Sequence, residues 1–290
     1  MAVIQWFPGH MAKALRQIRE QMPLVDLVFE LVDARVPYSS QNPEVDLAAG
    51  DKPRLLIMTK TDLADPEVTK EWLAFFKNQG QPVLALDSRE QQVAKKVTNA
   101  AKKVLADKMA NEAAKGMQKR AIKAMCVGVP NVGKSTLLNH LVHKNVAATA
   151  NRPGVTTGQQ WLRSSAELEL LDTPGVLWPK FATTKQGTML ALSGAIKDSL
   201  YPKDDVAIFA LDYLRQYRMA ELKKRYRLTD GEVDEAVSTP ELLLTITQKL
   251  GMRDDYERAS ERIIFDMRKG KLGTLTLERP ADLNAEGLNE

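Results

Sequence analysis

The residues best suited to chemistry stand in one short segment. Gly128-Val129-Pro130-Asn131-Val132-Gly133-Lys134-Ser135 fits G-x-x-x-x-G-K-[ST]. An apolar stretch read as a strand, Ala121 to Val129, runs into it, and a helix is predicted from Ser135 to Val142. A phosphate loop needs this setting. Its glycines let backbone N–H groups turn inward around phosphate oxygens, and the next helix aims its positive end at them. Asn131, Val132, Gly133, Lys134, Ser135 and Thr136 are therefore expected on a bound nucleotide. Lys134 would reach the β- and γ-phosphates, and Ser135 would ligate Mg²⁺.

Three further segments narrow the nucleotide. Asp172-Thr173-Pro174-Gly175 fits D-x-x-G, with Asp172 in the Mg²⁺ shell and the Gly175 N–H sensing the γ-phosphate. Between the two elements lies Pro153-Gly154-Val155-Thr156, where Thr156 is the expected Mg²⁺ hydroxyl and Thr157 its neighbouring rival. Thr59-Lys60-Thr61-Asp62 resembles the guanine-specificity element N-K-x-D. A carboxylate at Asp62 accepts from guanine N1–H and its 2-amino group, a donor pair that adenine lacks. An unpaired carboxylate in a dry pocket then penalises ATP. Lys60 would lay its stem over the base, while Thr59 stands where Asn is usual and leaves one supporting hydrogen bond open to question. Ser88 is the candidate for a second base-binding loop.

These parts need a sheet to hold them. Leu24 to Val32, Arg54 to Met58, Pro82 to Leu86, Ala121 to Val129, Gln159 to Arg163 and Leu168 to Leu171 read as strands. The last two are expected to pair. Helices are predicted at the start (Met11, Leu15, Ile18 and Met22 on one face), over Pro66–Gln79 with Asp65 as N-cap, and over 91–116. Pro37 to Pro43 reads as loop. Strands alternating with helices argue an α/β domain with a mainly parallel sheet. Past Gly187 the strand signals stop, and helices are predicted over Val206–Tyr226, Pro240–Leu250 and Tyr256–Arg268. The division expected is a GTPase domain over 1–188 and a helical domain over 189–290.

The order of the motifs is unusual. In ordinary small GTPases the phosphate loop comes first and the guanine element late, whereas here Thr59–Asp62 precedes Gly128–Ser135. The same site forms if old termini are joined and new ones opened elsewhere. The expected fold is a circularly permuted Ras-like P-loop GTPase domain followed by an all-α domain. That order, with Trp6-Phe7-Pro8-Gly9-His10-Met11, Asp33-Ala34-Arg35-Val36-Pro37 and Asp172 to Pro179, resembles the ribosome biogenesis GTPase A family over essentially the whole chain. The resemblance implies a cytoplasmic GTPase of late large-subunit (50S) assembly, stimulated by the ribosomal particle, with an RNA-binding helical domain.

It also bears on catalysis. After Asp172-x-x-Gly175 comes Val176, where Ras-like enzymes place a water-orienting Gln. The resemblance puts His10 forward for that role, beside Lys134 and Thr156 as the other catalytic candidates, with Gly9 letting the arm move. The plainer reading has His10 only cap or pack the first helix. At Asn131 the resemblance to potassium-stimulated GTPases implies a K⁺ ion, against a loop-stabilising amide hydrogen bond.

Charge and composition set outer limits. The 290 residues carry 41 Lys+Arg and 37 Asp+Glu, with 44% hydrophobic and 27% charged residues, which excludes wholesale disorder. No apolar run is long enough to suggest a membrane span, and the first residues lack a secretory pattern. The lone Cys126 can form no internal disulfide, which favours a reducing cytoplasm. Residues 95–123 hold nine Lys/Arg against two Asp/Glu, read either as a solvated helix face or as an RNA-facing stripe. Residues 195–290 are net acidic, 16 against 19. Within them Arg215, Arg218, Lys223, Lys224, Arg225 and Arg227 interleave with Tyr213, Tyr217 and Tyr226. That strip reads as a solvated helix by itself and, given the resemblance, as a ribosomal RNA contact.

Overall fold

The computed structural model describes residues 4–87, 90, 92–142 and 159–285. Six strands form one sheet in the order β3-β2-β1-β4-β6-β5. They are β1 (Leu27–Asp33), β2 (Arg54–Thr59), β3 (Val83–Ala85), β4 (Ile122–Gly128), β5 (Gln160–Arg163) and β6 (Leu168–Asp172). All pairs are parallel except β5 with β6. β1 is buried at every residue, as a central parallel strand covered on both faces must be. Register sets Asp33 opposite Thr59, Leu31 opposite Gly128 and Cys126 opposite Asp172. The carboxyl ends of four neighbouring strands therefore meet on one edge, the usual ligand edge of an open α/β sheet.

The covering helices follow from caps and apolar faces. α1 (Gly9–Gln21) buries Met11, Ala14, Leu15 and Ile18. α3 (Pro66–Asn78) is capped by Asp65, which accepts from Glu67 and Val68 N–H, and it buries Trp72. Between them a short helix, α2 (Pro43–Ala49), starts where a loop was expected to end, with Asn42 accepting from Glu44 N–H. The helix expected over 91–116 is two helices, α4 (Val93–Val104) and α5 (Ala106–Ala114). Leu105 stays buried at the junction while α5 buries no residue, so the chain leaves the sheet there and Met109 is exposed. The basic excess of this stretch is partly paired: Lys102 with Glu167, and Lys108 and Arg120 with Asp26.

α6 (Lys134–Val142) follows the phosphate loop. α7 (Thr184–Ser193) crosses the division expected at 188. Gly187 lies inside it, because a Cβ there would come within 3.1 Å of the Ile4 carbonyl and of Phe181. That glycine admits the N-terminal arm and breaks nothing. Beyond it lie α8 (Lys203–Tyr217), α9 (Met219–Tyr226), α10 (Thr239–Lys249) and α11 (Tyr256–Arg268), with α8 packed along α11 and α10 against both. The single helix expected over Val206–Tyr226 breaks at Arg218, whose backbone is non-helical (φ −142°, ψ 40°). Its guanidinium instead binds the Thr274 carbonyl and Asp65.

The tail then returns to the sheet. Leu275 N–H donates to Leu63 O (3.0 Å), Leu277 N–H to Arg35 O (2.7 Å) and Trp72 Nε1–H to Glu278 O (3.0 Å). A last helix, α12 (Pro280–Ala285), lies against α3. Among the described residues, no helix is long and apolar enough to cross a membrane.

Candidate active site

The phosphate loop leaves β4 at Gly128, where the backbones are so close that a Cβ would meet Leu31 O at 2.8 Å. It turns through Asn131 (φ 58°) and Gly133 (φ 103°), both in the left-handed region, and enters α6 at Lys134. Val132 and Lys134 are buried, Gly133 and Ser135 half-buried, and Thr136 exposed. The Lys134 ammonium pairs with Asp172 Oδ1, both groups sealed from solvent.

Asp172 tests the fit to Mg²⁺. Its Oδ2 is buried with no hydrogen-bond partner among the described residues. A carboxylate oxygen left so in a core is costly unless a cation or its water shell meets it. With the Ser135 hydroxyl at the first turn of α6, the donor set is hard oxygen, which suits Mg²⁺. Thr156 and Ser88, expected on the metal and the base respectively, lie outside the described residues, as do Pro153, Gly154 and Thr157.

Gly175 seats directly on the phosphate loop, since a Cβ there would lie 2.8 Å from Pro130 Cα. The next residue, Val176, is fully buried and donates its N–H to Gly128 O (3.1 Å). Its carbonyl accepts from Asn42 Nδ2 (3.1 Å). Valine here is a core residue, sharing one apolar cluster with Ala14, Leu15 and Ile18 of α1. His10 stands exposed in the first turn of α1, its ring 6.2 Å from that of Trp6, and its described contacts include none with the phosphate loop.

Thr59 answers the question its type raised. Its hydroxyl lies 3.0 Å from Val32 O and 2.5 Å from Val132 O, so it ties the Thr59–Asp62 segment to the phosphate loop itself. Lys60 adopts a left-handed conformation (φ 56°) and extends its ammonium to Asp33 Oδ2 (2.9 Å). Asp33 also receives Arg35 Nε and Nη2 at 2.9 and 2.7 Å. Burial opposes ionisation of Asp33, but Arg35 and Lys60 outweigh it and hold the carboxyl well below the usual carboxylate range. Burial pulls Lys60 below the ordinary lysine value, with Asp33 opposing. Asp62 is half-buried in the turn that follows.

Three residues here carry no role in the sequence reading: Asp33, Arg35 and Asn42. The i, i+2 spacing of Asp33 and Arg35 at a strand end is a visible signal for an ion pair. Asn42-Pro43-Glu44 is an N-cap signal like Asp65-Pro66-Glu67, obscured by the shortness of the helix it starts. Asn131 Nδ2 donates to Gly194 O (2.8 Å), so its amide makes the structural bond.

Of the basic strip, four members turn to the protein. Arg215 donates to the carbonyls of Val237 and Asp234, Arg218 to Thr274 O, Lys223 pairs with Asp230, and Arg225 with Asp266. Lys224 and Arg227 are exposed.

A phosphate loop, a D-x-x-G loop and a loop resembling N-K-x-D on one sheet edge, in permuted chain order, define a circularly permuted P-loop GTPase. Residues 123–246 match a family described as 50S ribosome-binding GTPase. Ribosome biogenesis GTPase A of Bacillus pumilus is 48% identical over 96% of this chain and 99% of its own, and that of Thermotoga maritima 31% over 97% and 96%. The chain belongs to the ribosome biogenesis GTPase A family. A GDP-bound YlqF structure superposes with a TM-score of 0.66 at 26% identity, covering 92% of this chain and 100% of the other. The GNP-bound YlqF from T. maritima gives 0.63 at the same identity, covering 92% and 98%. The chain is thus a GTP-hydrolysing enzyme of ribosome biogenesis.

Proposed function

We propose that this GTPase is an assembly factor for the large (50S) ribosomal subunit, working in the cytoplasm and binding ribosomal RNA in a nucleotide-dependent way. The observation that carries the nucleotide half is the Thr59–Val132 bond, which couples guanine recognition by Lys60 and Asp62 to the phosphate loop. Asp62 selects the base, with Ser88 from the next loop. Lys134 exchanges Asp172 for the phosphates, and Gly175 senses the γ-phosphate. Mg²⁺, held by Ser135, Thr156 and the shell of Asp172, would neutralise charge on the phosphate oxygens. K⁺ at Asn131 would use the amide oxygen, since the amide nitrogen is engaged with Gly194 O.

The buried Val176 cannot orient water, so unassisted hydrolysis is slow. His10 is the candidate to supply that function. It is exposed beside Gly9, where added atoms meet open space, on a helix that shares its core cluster with Val176. The particle brings it to the γ-phosphate. Nucleotide state then sets the helical part for docking, and hydrolysis permits release.

The test is GTP turnover with and without large ribosomal subunits, for wild type and His10→Ala, together with subunit pelleting in a GTP analogue and in GDP. Strong stimulation, abolished by His10→Ala with GTP binding intact, is expected. Stimulation that survives the substitution removes His10 from catalysis. No stimulation, or pelleting indifferent to nucleotide, defeats the large-subunit reading.

A further inference from the structure

The outer face of α11 carries an unusual combination. Phe265 is 44% exposed, and three cations surround its ring: Lys271 Nζ at 5.0 Å from the centroid, Arg262 Cζ at 5.9 Å and Lys269 Nζ at 5.9 Å. Two of them, Arg262 and Lys271, are held there. The next residue, Asp266, is fully buried and pairs with Arg225 (2.7 Å), Arg262 (3.2 Å) and Lys271 (3.7 Å). One carboxylate thus gathers three cations, of which Arg262 and Lys271 lie beside the Phe265 ring, and Lys269 completes the trio there. Next to Phe265 an open groove of about 530 Å³ extends between α11 and the start of α8, with Arg258, Arg262, Met252 and Ile264 among its walls.

Each element of this patch is costly alone. An exposed phenyl ring keeps apolar surface in water. Clustered like charges repel, and Asp266 is one carboxylate for Arg225, Arg262 and Lys271, while Asp198 and Glu261 of the groove pair with Arg268 and Lys203. A polyanion that also carries flat apolar faces relieves both costs together. Single-stranded nucleic acid has that chemistry, since bases stack on aromatic rings while phosphates take the cations. An acidic peptide satisfies the cations and leaves the ring unstacked. The patch also differs from the Arg215–Arg227 strip, where Arg215 and Arg218 spend their guanidiniums on carbonyls of their own chain. A guanidinium held by the protein's own carbonyls has fewer donors left for a phosphate.

We propose that the Phe265 face of α11 is an RNA-contacting surface, with Phe265 stacking on an unpaired base and Arg262, Lys269 and Lys271 on the flanking phosphates. This rests on the reading above that the chain meets ribosomal RNA, and it moves the contact from the strip around α9 to α11. The shared Asp266 draws Arg262 and Lys271 toward the ring before any ligand arrives, which lowers the cost of ordering them.

The experiment uses the full chain with a GTP analogue. Its affinity is measured for large ribosomal subunits and for protein-free large-subunit RNA, across a salt series. Phe265→Ala is expected to weaken both by about ten-fold or more, the scale of one lost base stack. Phe265→Trp keeps a stacking ring and is expected to restore binding to within about three-fold of wild type. Lys269→Ala with Lys271→Ala is expected to flatten the salt slope by roughly 1.5, as two phosphate contacts require. Subunit-free GTP turnover unchanged in all variants, with the melting temperature unchanged in the Phe265 variants, shows that the fold and nucleotide site are intact. Wild-type binding that Phe265→Ala leaves unaltered overturns the proposal and spares the ribosomal reading. Loss on subunits without loss on bare RNA assigns the face to a ribosomal protein and equally overturns it. Failure of the wild type to bind either one removes the ribosomal reading, and this proposal with it.

Discussion

Around Thr59 and Asp33, single polar atoms decide how the site holds. The Thr59 hydroxyl sits between two carbonyls, one on β1 and one on the phosphate loop. Thr59→Val keeps shape and removes the one O–H donor shared by the two carbonyls, leaving a buried acceptor unmet. We expect a stability loss of about 1 kcal/mol, measured by denaturant unfolding. GTP affinity should fall beyond what Thr59→Ser shows, because the phosphate loop loses its tie to the Thr59–Asp62 segment. Asp33 is the stricter case. Asp33→Asn would bury Arg35 and Lys60 without their counter-charge, and should cost about 3 kcal/mol. Its carboxyl titrates lower in the folded chain than in the unfolded one. This contribution is therefore complete at neutral pH and is lost only as pH falls through and below the ordinary carboxylate range. An acid-unfolding midpoint that does not move in Asp33→Asn would contradict the assignment.

At the scale of elements, α7 ends in an unusual way. Its last carbonyls accept side chains from three separate segments: Ala191 O and Leu192 O from Arg268 of α11, Ser193 O from Arg35 after β1, and Gly194 O from Asn131 of the phosphate loop. Cations suit a helix carboxyl end, where the dipole is negative. This one end therefore joins the phosphate loop, the segment after β1 and the helical bundle. Arg268→Ala should lower the melting temperature by several degrees, with about 2 kcal/mol lost from charged hydrogen bonds to backbone. The tail makes a second such joint through Glu278, whose side chain accepts from Ser39 N–H (2.9 Å) and the Ser39 hydroxyl (2.6 Å). Burial pushes this carboxyl up to about 7, with the Ser39 and Tyr38 donors opposing. A folded-state value above the unfolded one favours the docked tail most at low pH. Docking should weaken as pH rises from the ordinary glutamate range to about 7, then level off. Hydrogen exchange of residues 270–279 across that window measures it, and Glu278→Gln should flatten the profile.

For the whole molecule, the tail and α7 make the helical part and the sheet one connected body. Residues 275–277 bond to Leu63 O, next to Asp62, to Asp65 N–H through the Thr276 hydroxyl, and to Arg35 O after β1. Deleting residues 270–290 should therefore weaken GTP and GDP alike, by roughly ten-fold if the bonds at Leu63 and Asp65 no longer order the turn that holds Asp62. Titration with a fluorescent guanine nucleotide checks this. A nucleotide site untouched by the deletion would mean that the tail only covers Trp72.

What the sequence by itself determined is the chemistry and its order. The phosphate loop, Asp172–Gly175 and Lys60–Asp62 are local patterns, and strands with apolar runs can bring their ends to one edge only as a parallel sheet. Most of the elements follow from periodicity and caps for the same local reason. The break at Arg218, the service of Thr59 in place of Asn, the inward turn of Arg215, Arg218 and Arg225, and the return of the tail belong to tertiary structure. A helical period tells which side of a segment is apolar. It carries no information on where a hydroxyl or guanidinium finds its acceptor when that acceptor lies in a distant segment. Thr59 finds Val132, Arg218 finds Thr274, and Arg225 finds Asp266 only after the chain has folded.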